Sequence, residues 1–450
     1  MKKVIVLLIL LLILLPFTYF AVKNNFFQTQ NTGPITLNYW GVDQDEAFIT
    51  PLIKKYQDSH PNIKVVYRRL SPTQYRETLQ TQIKAGKGPD LFRFHNTWTP
   101  MFKDQLAPLP ASVMDDKLLK SRFYPIVSQD LKANGKIVGV PLDFDGLALV
   151  YNQSAFSAAG YKNPPQDWFQ FRQYAQKLTV RDENGQILVG GAAVGTSNNV
   201  DYFSDILGMM FLQNGTKMIN KKEVFFDKTV SPDSTQSNLG ADALTFYASF
   251  VTEDKVWDRA MPTSLQAITL GKAAMIFAPA SSLTGLIDQA RKANPPIELK
   301  VAPVPQLPNR EPVTWGSFWA EGVSVRSKHQ KEAWDFINFL LQKESLEERF
   351  SLMVAKNGLG MPYSRSDMKD SLSSNPYLGA YVSQAPTSQS WFMASRTFDK
   401  GINDKTISFF STAVTSVLNN GNPKTALETA ALGVGGVLVP YSLVNPPAAK

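Results

Sequence analysis

Ile35, Leu37 and Tyr39 alternate with polar residues, which predicts a strand with one buried face. Phe48, Leu52 and Tyr56 then recur at the four-residue spacing of a helix, with Asp43 or Asp45 placed to cap it. His60-Pro61 stops that helix, because the residue before a proline is pushed out of the helical region. Ile63 to Tyr67 predicts a second strand. Ser71-Pro72-Thr73-Gln74 reads as a capping box with proline at the first helical position, opening a helix whose buried stripe is Tyr75, Leu79 and Ile83. Leu91 to Phe94 predicts a third strand. A β-α-β-α-β run implies right-handed crossovers and a parallel sheet covered by helices. Such sheets bind ligands beyond the carboxyl ends of their strands, which is where Trp40 and His95-Asn96-Thr97-Trp98 stand.

Further on, the pattern alternates between short apolar runs and interruptions. Ile137 to Pro141 and Leu147 to Tyr151 predict strand, separated by Asp143-Phe144-Asp145-Gly146. A glycine beside acidic residues inside an extended run suggests a strand passing between domains. Trp168, Phe171 and Ala175 mark a helix, Ile187 to Val194 a strand, Tyr202 to Leu212 an apolar helix capped by Asn198 or Asn199, and Ala273 to Phe277 a buried strand. Val301 to Pro305 is a second candidate crossing. Trp315, Ser317, Trp319 and Glu321 share one face of the strand expected after it. A helix is predicted over 332–350, and 357–362 gives a third crossing. Three crossings make each domain from discontinuous pieces, and such a pair can close about a hinge.

Length agrees with two domains, since 450 residues exceed what one core fills. Cysteine is absent, which excludes disulfides, thiol nucleophiles and an N-terminal lipidated cysteine, and three scattered histidines offer no metal site. The +8 net charge is spread without a basic block, so nucleic acid is not an expected partner and no cofactor is expected. Lys2 and Lys3 precede a 19-residue apolar run, Val4 to Val22, about 28 Å of helix at 1.5 Å per residue, close to the thickness of a bilayer core. The flank lacks the small residues of a signal cleavage site. An uncleaved transmembrane helix over 1–23 is expected, with the lysines in the cytoplasm and the rest outside, tethered through 24–34.

Several passages together resemble the extracellular solute-binding proteins of ABC importers, in the carbohydrate-binding family 1 of the maltose-binding type. They are Ile35-Thr36-Leu37-Asn38-Tyr39-Trp40, Gly88-Pro89-Asp90-Leu91-Phe92, Gly139-Val140-Pro141 with Leu149-Val150-Tyr151-Asn152, Gly271-Lys272-Ala273-Ala274-Met275, and Lys328-His329-Gln330-Lys331-Glu332-Ala333. The resemblance implies an α/β, two-lobed periplasmic-binding-protein-like fold of type II, each lobe a mostly parallel sheet flanked by helices. The expected lobes are 35–143 plus 303–356 and 144–302 plus 357–450. It also implies a sugar in the cleft and a permease as partner; a monomer is expected, and the N-terminal reading places it on the cell surface or in the periplasm.

A sugar offers hydroxyls and weakly apolar ring faces, so its site needs planar aromatics and amides or carboxylates. By analogy with aromatic pairs, each stacking ring adds about 0.5–1.5 kcal/mol. Trp40, Trp98, Trp315 and Trp319 are the candidate rings, and Trp391 resembles the aromatic that the family's second lobe contributes. Asp43, Gln44, His95 and Asn96 follow strand ends. Asn198, Asn199 and Asp201 open a helix, as do Ser281 and Ser282; Asp143 and Asp145 lie on the first crossing, and Glu321 shares the face of Trp315. Trp168, Trp257 and Trp334 fit helical core positions.

Three other readings compete. Asp143 and Asp145, two apart on a strand, would stand roughly 6.6 Å from one another, within the range of a glycoside hydrolase's carboxylate pair. Ser366-Asp367-Met368-Lys369 matches one element of the penicillin-binding proteins, but neither Ser-Asp-Asn nor Lys-Thr-Gly accompanies it. A wall-polysaccharide-binding adhesin would need no hinge.

Overall fold

β1 (Ile35–Val42), β2 (Ile63–Leu70) and β3 (Leu91–His95) alternate with α1 (Thr50–Ser59) and α2 (Pro72–Lys84) in a computed structural model that describes residues 33–42, 44–230 and 237–446. β1 lies between β2 and β3 and is parallel to both. The apolar positions that set the pattern are the ones buried: Leu37 and Tyr39 on the strand, Leu52 and Tyr56 on α1, Tyr75, Leu79 and Ile83 on α2. Asp45 caps a short 3₁₀ turn, Glu46–Phe48, accepting the Ala47 N–H at 2.9 Å, and α1 starts afresh with Pro51 in its first turn. The capping box expected at Ser71 does not form. Its hydroxyl turns to Thr73 Oγ1 at 3.2 Å and caps no backbone amide.

β4 (Leu147–Asn152) opens a second sheet, followed by α3 (Trp168–Leu178), α4 (Phe203–Gln213), α5 (Leu239–Thr252), β5 (Met275–Pro279), α6 (Ala280–Lys292) and β6 (Leu299–Ala302). β5 and β6 flank β4 and both run antiparallel to it. The mostly parallel sheet expected here is therefore corrected for the second lobe. β4 leads away from the crossing, whereas β5 and β6 return toward it, so adjacent strands must oppose. The strand expected over 187–194 shortens to Ile187–Val189.

The chain then adds β7 (Trp319–Val323) to the first sheet, antiparallel to β3, giving the order β7-β3-β1-β2. The single helix expected over 332–350 is two, α7 (Gln330–Leu340) and α8 (Lys343–Asn357), the second ended by Gly358 at φ 77°. α9 (Ile402–Leu418) and α10 (Pro423–Leu438) pack on each other and on α5.

Asp143 to Gly146 forms the middle of the segments that cross between the lobes. Asp143 pairs with Tyr363 and Gly146 with Gly316, both antiparallel. A Cβ on Gly146 would lie 2.1 Å from the Trp315 carbonyl oxygen, so only glycine allows that approach. The second crossing lies later than 301–305. Val304 N–H donates to Gln384 at 2.7 Å and Gln306 N–H to the Gln166 carbonyl at 3.0 Å, which keeps this stretch on the second lobe. Contact with the first sheet begins where Phe318 N–H reaches Asn96 Oδ1 at 3.1 Å. The extended Val301–Pro305 run is β6 and its exit, and the passage itself falls at Gly316-Ser317.

Among the described residues no helix is long and apolar enough to cross a membrane. The anchor expected over 1–23 and its linker through 32 lie outside the described residues.

Candidate functional site

A cavity of about 500 Å³ opens between the lobes, over the crossing segments. The first lobe contributes Gln44, Phe48, Arg93, His95, Trp319 and Arg349. Tyr202, Asp205, Ser281, Ser395, Arg396 and Phe398 face them from the second, and Asp143, Asp145, Trp315 and Ser317 form the floor.

One wall is a buried charge cluster. Arg93 donates from Nη1 to Gln44 Oε1 at 2.8 Å, and its nitrogens lie 3.8 Å from Asp143 Oδ2 and 3.9 Å from Glu321 Oε1. Arg349 holds the other oxygen of Asp143. Glu321 is fully enclosed, and burial raises its carboxyl against the pull of Arg93. Such a cluster persists only while each charge keeps its partner.

Asp145 serves the other wall. Its carboxylate accepts the N–H groups of Ala280 at 2.8 Å and Ser281 at 3.4 Å, capping α6 from a distant part of the chain. Burial pushes it up to about 7, opposed by those hydrogen bonds. Asp205 on α4 accepts the Trp315 indole N–H at 2.8 Å and the Ser395 amide at 3.0 Å, and burial raises it to about 6. Gly208, one turn along α4, leaves room for the Trp315 ring, which a Cβ there would meet at 2.7 Å. His95 is driven down to about 3 by burial and then by Arg93, so its ring stays neutral.

Of the residues singled out in the sequence, Gln44, His95, Asp143, Asp145, Ser281, Trp315 and Trp319 meet in this cavity. Others are placed differently. Trp40 packs on the flank of the sheet under the Arg68 guanidinium, 5.6 Å from its ring centre. Trp98 is fully buried, stacked on Phe102 and edge-on behind Trp319 at 5.1 Å. Asn96 turns from the cleft to hold Asp130 at 2.7 Å. Asn198 reaches the Arg259 carbonyl, and Asn199 binds the carbonyls of Asp258 and Met261, so neither caps α4. Asp201 caps a turn at Leu265 and pairs with Arg396. Ser282 meets the Tyr202 hydroxyl at 2.7 Å. Glu321 stands behind Arg93 and does not reach the cavity. Trp391 packs on Phe226 and Phe410 and borders a separate cavity of about 320 Å³. Asp43 lies outside the described residues.

Arg93 and Arg349 were missed. Arg93 carried a signal, a lone charge in the apolar run Leu91 to Phe94 of a strand buried on both faces. Ser395 to Phe398 carried none, being an irregular loop in which Arg396 and Phe398 adopt φ of 61° and 51°.

A hinged pair of lobes with a polar, ring-bearing cavity between them defines a two-lobed α/β ligand-binding protein. The family described as bacterial extracellular solute-binding protein matches residues 41–347, and the chain belongs to it. A binding protein of Brucella abortus is 26% identical over 342 residues, 74% of this chain and 77% of its own. Among solved structures, a cyclic α-maltosyl-1,6-maltose binding protein from Arthrobacter globiformis superposes with TM-score 0.72 at 19% identity, over 90% of this chain and 99% of that one. An ABC transporter solute-binding protein from Thermotoga lettingae, bound with α-D-tagatose, does so with TM-score 0.67 at 22% identity, over 90% and 100%.

Proposed function

We propose that the chain is the sugar receptor of an ABC importer, working outside the cytoplasmic membrane and tethered there by its N-terminal apolar run. The observation that carries this is the pairing, in one inter-lobe cavity, of the partly open ring of Trp319 and the exposed ring of Phe398 with the hydrogen-bonding groups of Gln44, Asp145 and Ser317. Rings beneath a sugar face and amides or carboxylates at its edge are what a saccharide demands. The sugar ligands named for the similar structures support the same class. A ligand touching both lobes favours the closed form, because only differential contact shifts such an equilibrium; the closed form then docks on a permease.

The carboxylate-pair reading of a hydrolase is disfavoured, since Asp143 is held by two guanidinium groups and Asp145 by backbone amides. Calorimetric titration with neutral, acidic and amino oligosaccharides tests the proposal. Saturable heat from one class supports it, and uniform absence of heat across the panel counts against it.

A further inference from the structure

The donors and acceptors around His95 form one consistent chain that runs from the second lobe to the cavity floor. Asn403, at the start of α9, accepts the Ala394 N–H on Oδ1 at 3.1 Å, which fixes the orientation of its amide. Its Nδ2 therefore donates, to Asp399 Oδ2 at 2.9 Å and across to Thr97 Oγ1 at 2.7 Å. Thr97 Oγ1 lies 2.8 Å from His95 Nδ1, and the Thr97 N–H also points at that nitrogen, at 3.4 Å. Nδ1 so surrounded must be the bare nitrogen, receiving the threonine proton, and the ring proton belongs on Nε2. Nε2 lies 3.1 Å from Ser317 Oγ, which then accepts. The hydroxyl proton of Ser317 has no other partner among the described residues. The Ser317 N–H is anchored on the Asp145 carbonyl at 3.0 Å, and the side chain lines the cavity.

We propose that Ser317 is a fixed hydrogen-bond donor to the ligand, its polarity set by the relay Asp399, Asn403, Thr97 and His95. This rests on the receptor reading above and specifies what the site selects at that point: an oxygen that accepts, such as a ring, glycosidic or hydroxyl oxygen, and not an ammonium or amide N–H. Thr97 and His95 are positioning residues, acting through Ser317. Asn403 to Thr97 joins the lobes, so the donor is set when they are held together.

The test uses the full chain labelled with ¹⁵N. Its three histidines can be assigned by omission with His60→Gln and His329→Gln. The long-range imidazole spectrum is expected to show His95 with protonated Nε2 and bare Nδ1. A spectrum with Nδ1 protonated overturns the relay, whatever the chain binds. Thr97→Val removes the donor and shifts the tautomer balance, and Thr97→Ser restores it. With the oligosaccharide giving the strongest calorimetric response, Ser317→Ala is expected to weaken binding about two- to tenfold. Adding Thr97→Val to it should cost no more, because both act through one hydrogen bond. Unchanged affinity in Ser317→Ala, or fully additive losses, overturns the donor role. Absence of any sugar binding, with the Nε2 tautomer present, overturns the receptor reading and the donor role with it while leaving the relay standing.

Discussion

Asp145 Oδ1 accepts the Ala280 N–H at 2.8 Å, so a residue on the hinge caps a helix whose first residue lies far along the chain. The cap couples hinge geometry to the wall of the cavity, because α6 carries Ser281 and Thr284 into it. It also holds a carboxyl that burial has raised to about 7.

That shift gives a pH dependence with a definite sign. The folded chain keeps the Asp145 proton up to about 7, whereas the unfolded chain releases it near 3.8. The folded state binds more protons in between, so this group's contribution to stability falls as pH rises from about 4 to 7, by at most about 1.4 kcal/mol per pH unit. Below that window the contribution is fully present, and above it the loss is complete. Urea unfolding of the ligand-free chain across the window should show the midpoint falling less steeply in Asp145→Asn than in the parent.

The cluster of Arg93, Arg349, Asp143 and Glu321 predicts a different response. Arg349→Met leaves the Asp143 oxygen it holds uncompensated in a buried site, at a cost of about 3–5 kcal/mol. The double variant Arg349→Met with Asp143→Leu should recover part of that. Thermal unfolding measures both, and equal losses in single and double variants would contradict the pairing.

The tryptophans separate by place. Trp319 is partly open to the cavity, so Trp319→Ala should weaken sugar binding by about 0.5–1.5 kcal/mol. Phe398, 42% exposed, predicts a loss of the same order. Trp98 is fully buried, and Trp98→Ala should cost about 3–5 kcal/mol of stability. Titration calorimetry paired with unfolding curves distinguishes the two effects.

The elements legible in the sequence are those whose signal is local. Periodicity located β1, α1, β2 and α2 because each buries a face defined by its own residues, and β3, buried on both faces, showed as a short apolar run. The direction of β5 and β6 was hidden, since apolar runs do not encode which neighbour they join. Thr314 to Gly322 read as one strand, yet it is split by the passage between lobes at Gly316, which depends on Gly146 approaching from elsewhere. Strand ends pointed to Gln44 and His95 in the site. They also pointed to Trp98 and Asn96, which turn away: the 3₁₀ turn Asn96–Trp98 rotates these side chains into the lobe. Arg396 and Phe398 reach the cavity from an irregular loop that no spacing rule describes.

Small-angle scattering of the chain with and without its best-binding oligosaccharide tests most directly the claim that two hinged lobes grip a guest between them. The radius of gyration should fall on saturation, and combining Trp319→Ala with Phe398→Ala should move that fall to about 5- to 150-fold higher sugar concentration. Binding heat in the parent with no change in scattering would contradict it.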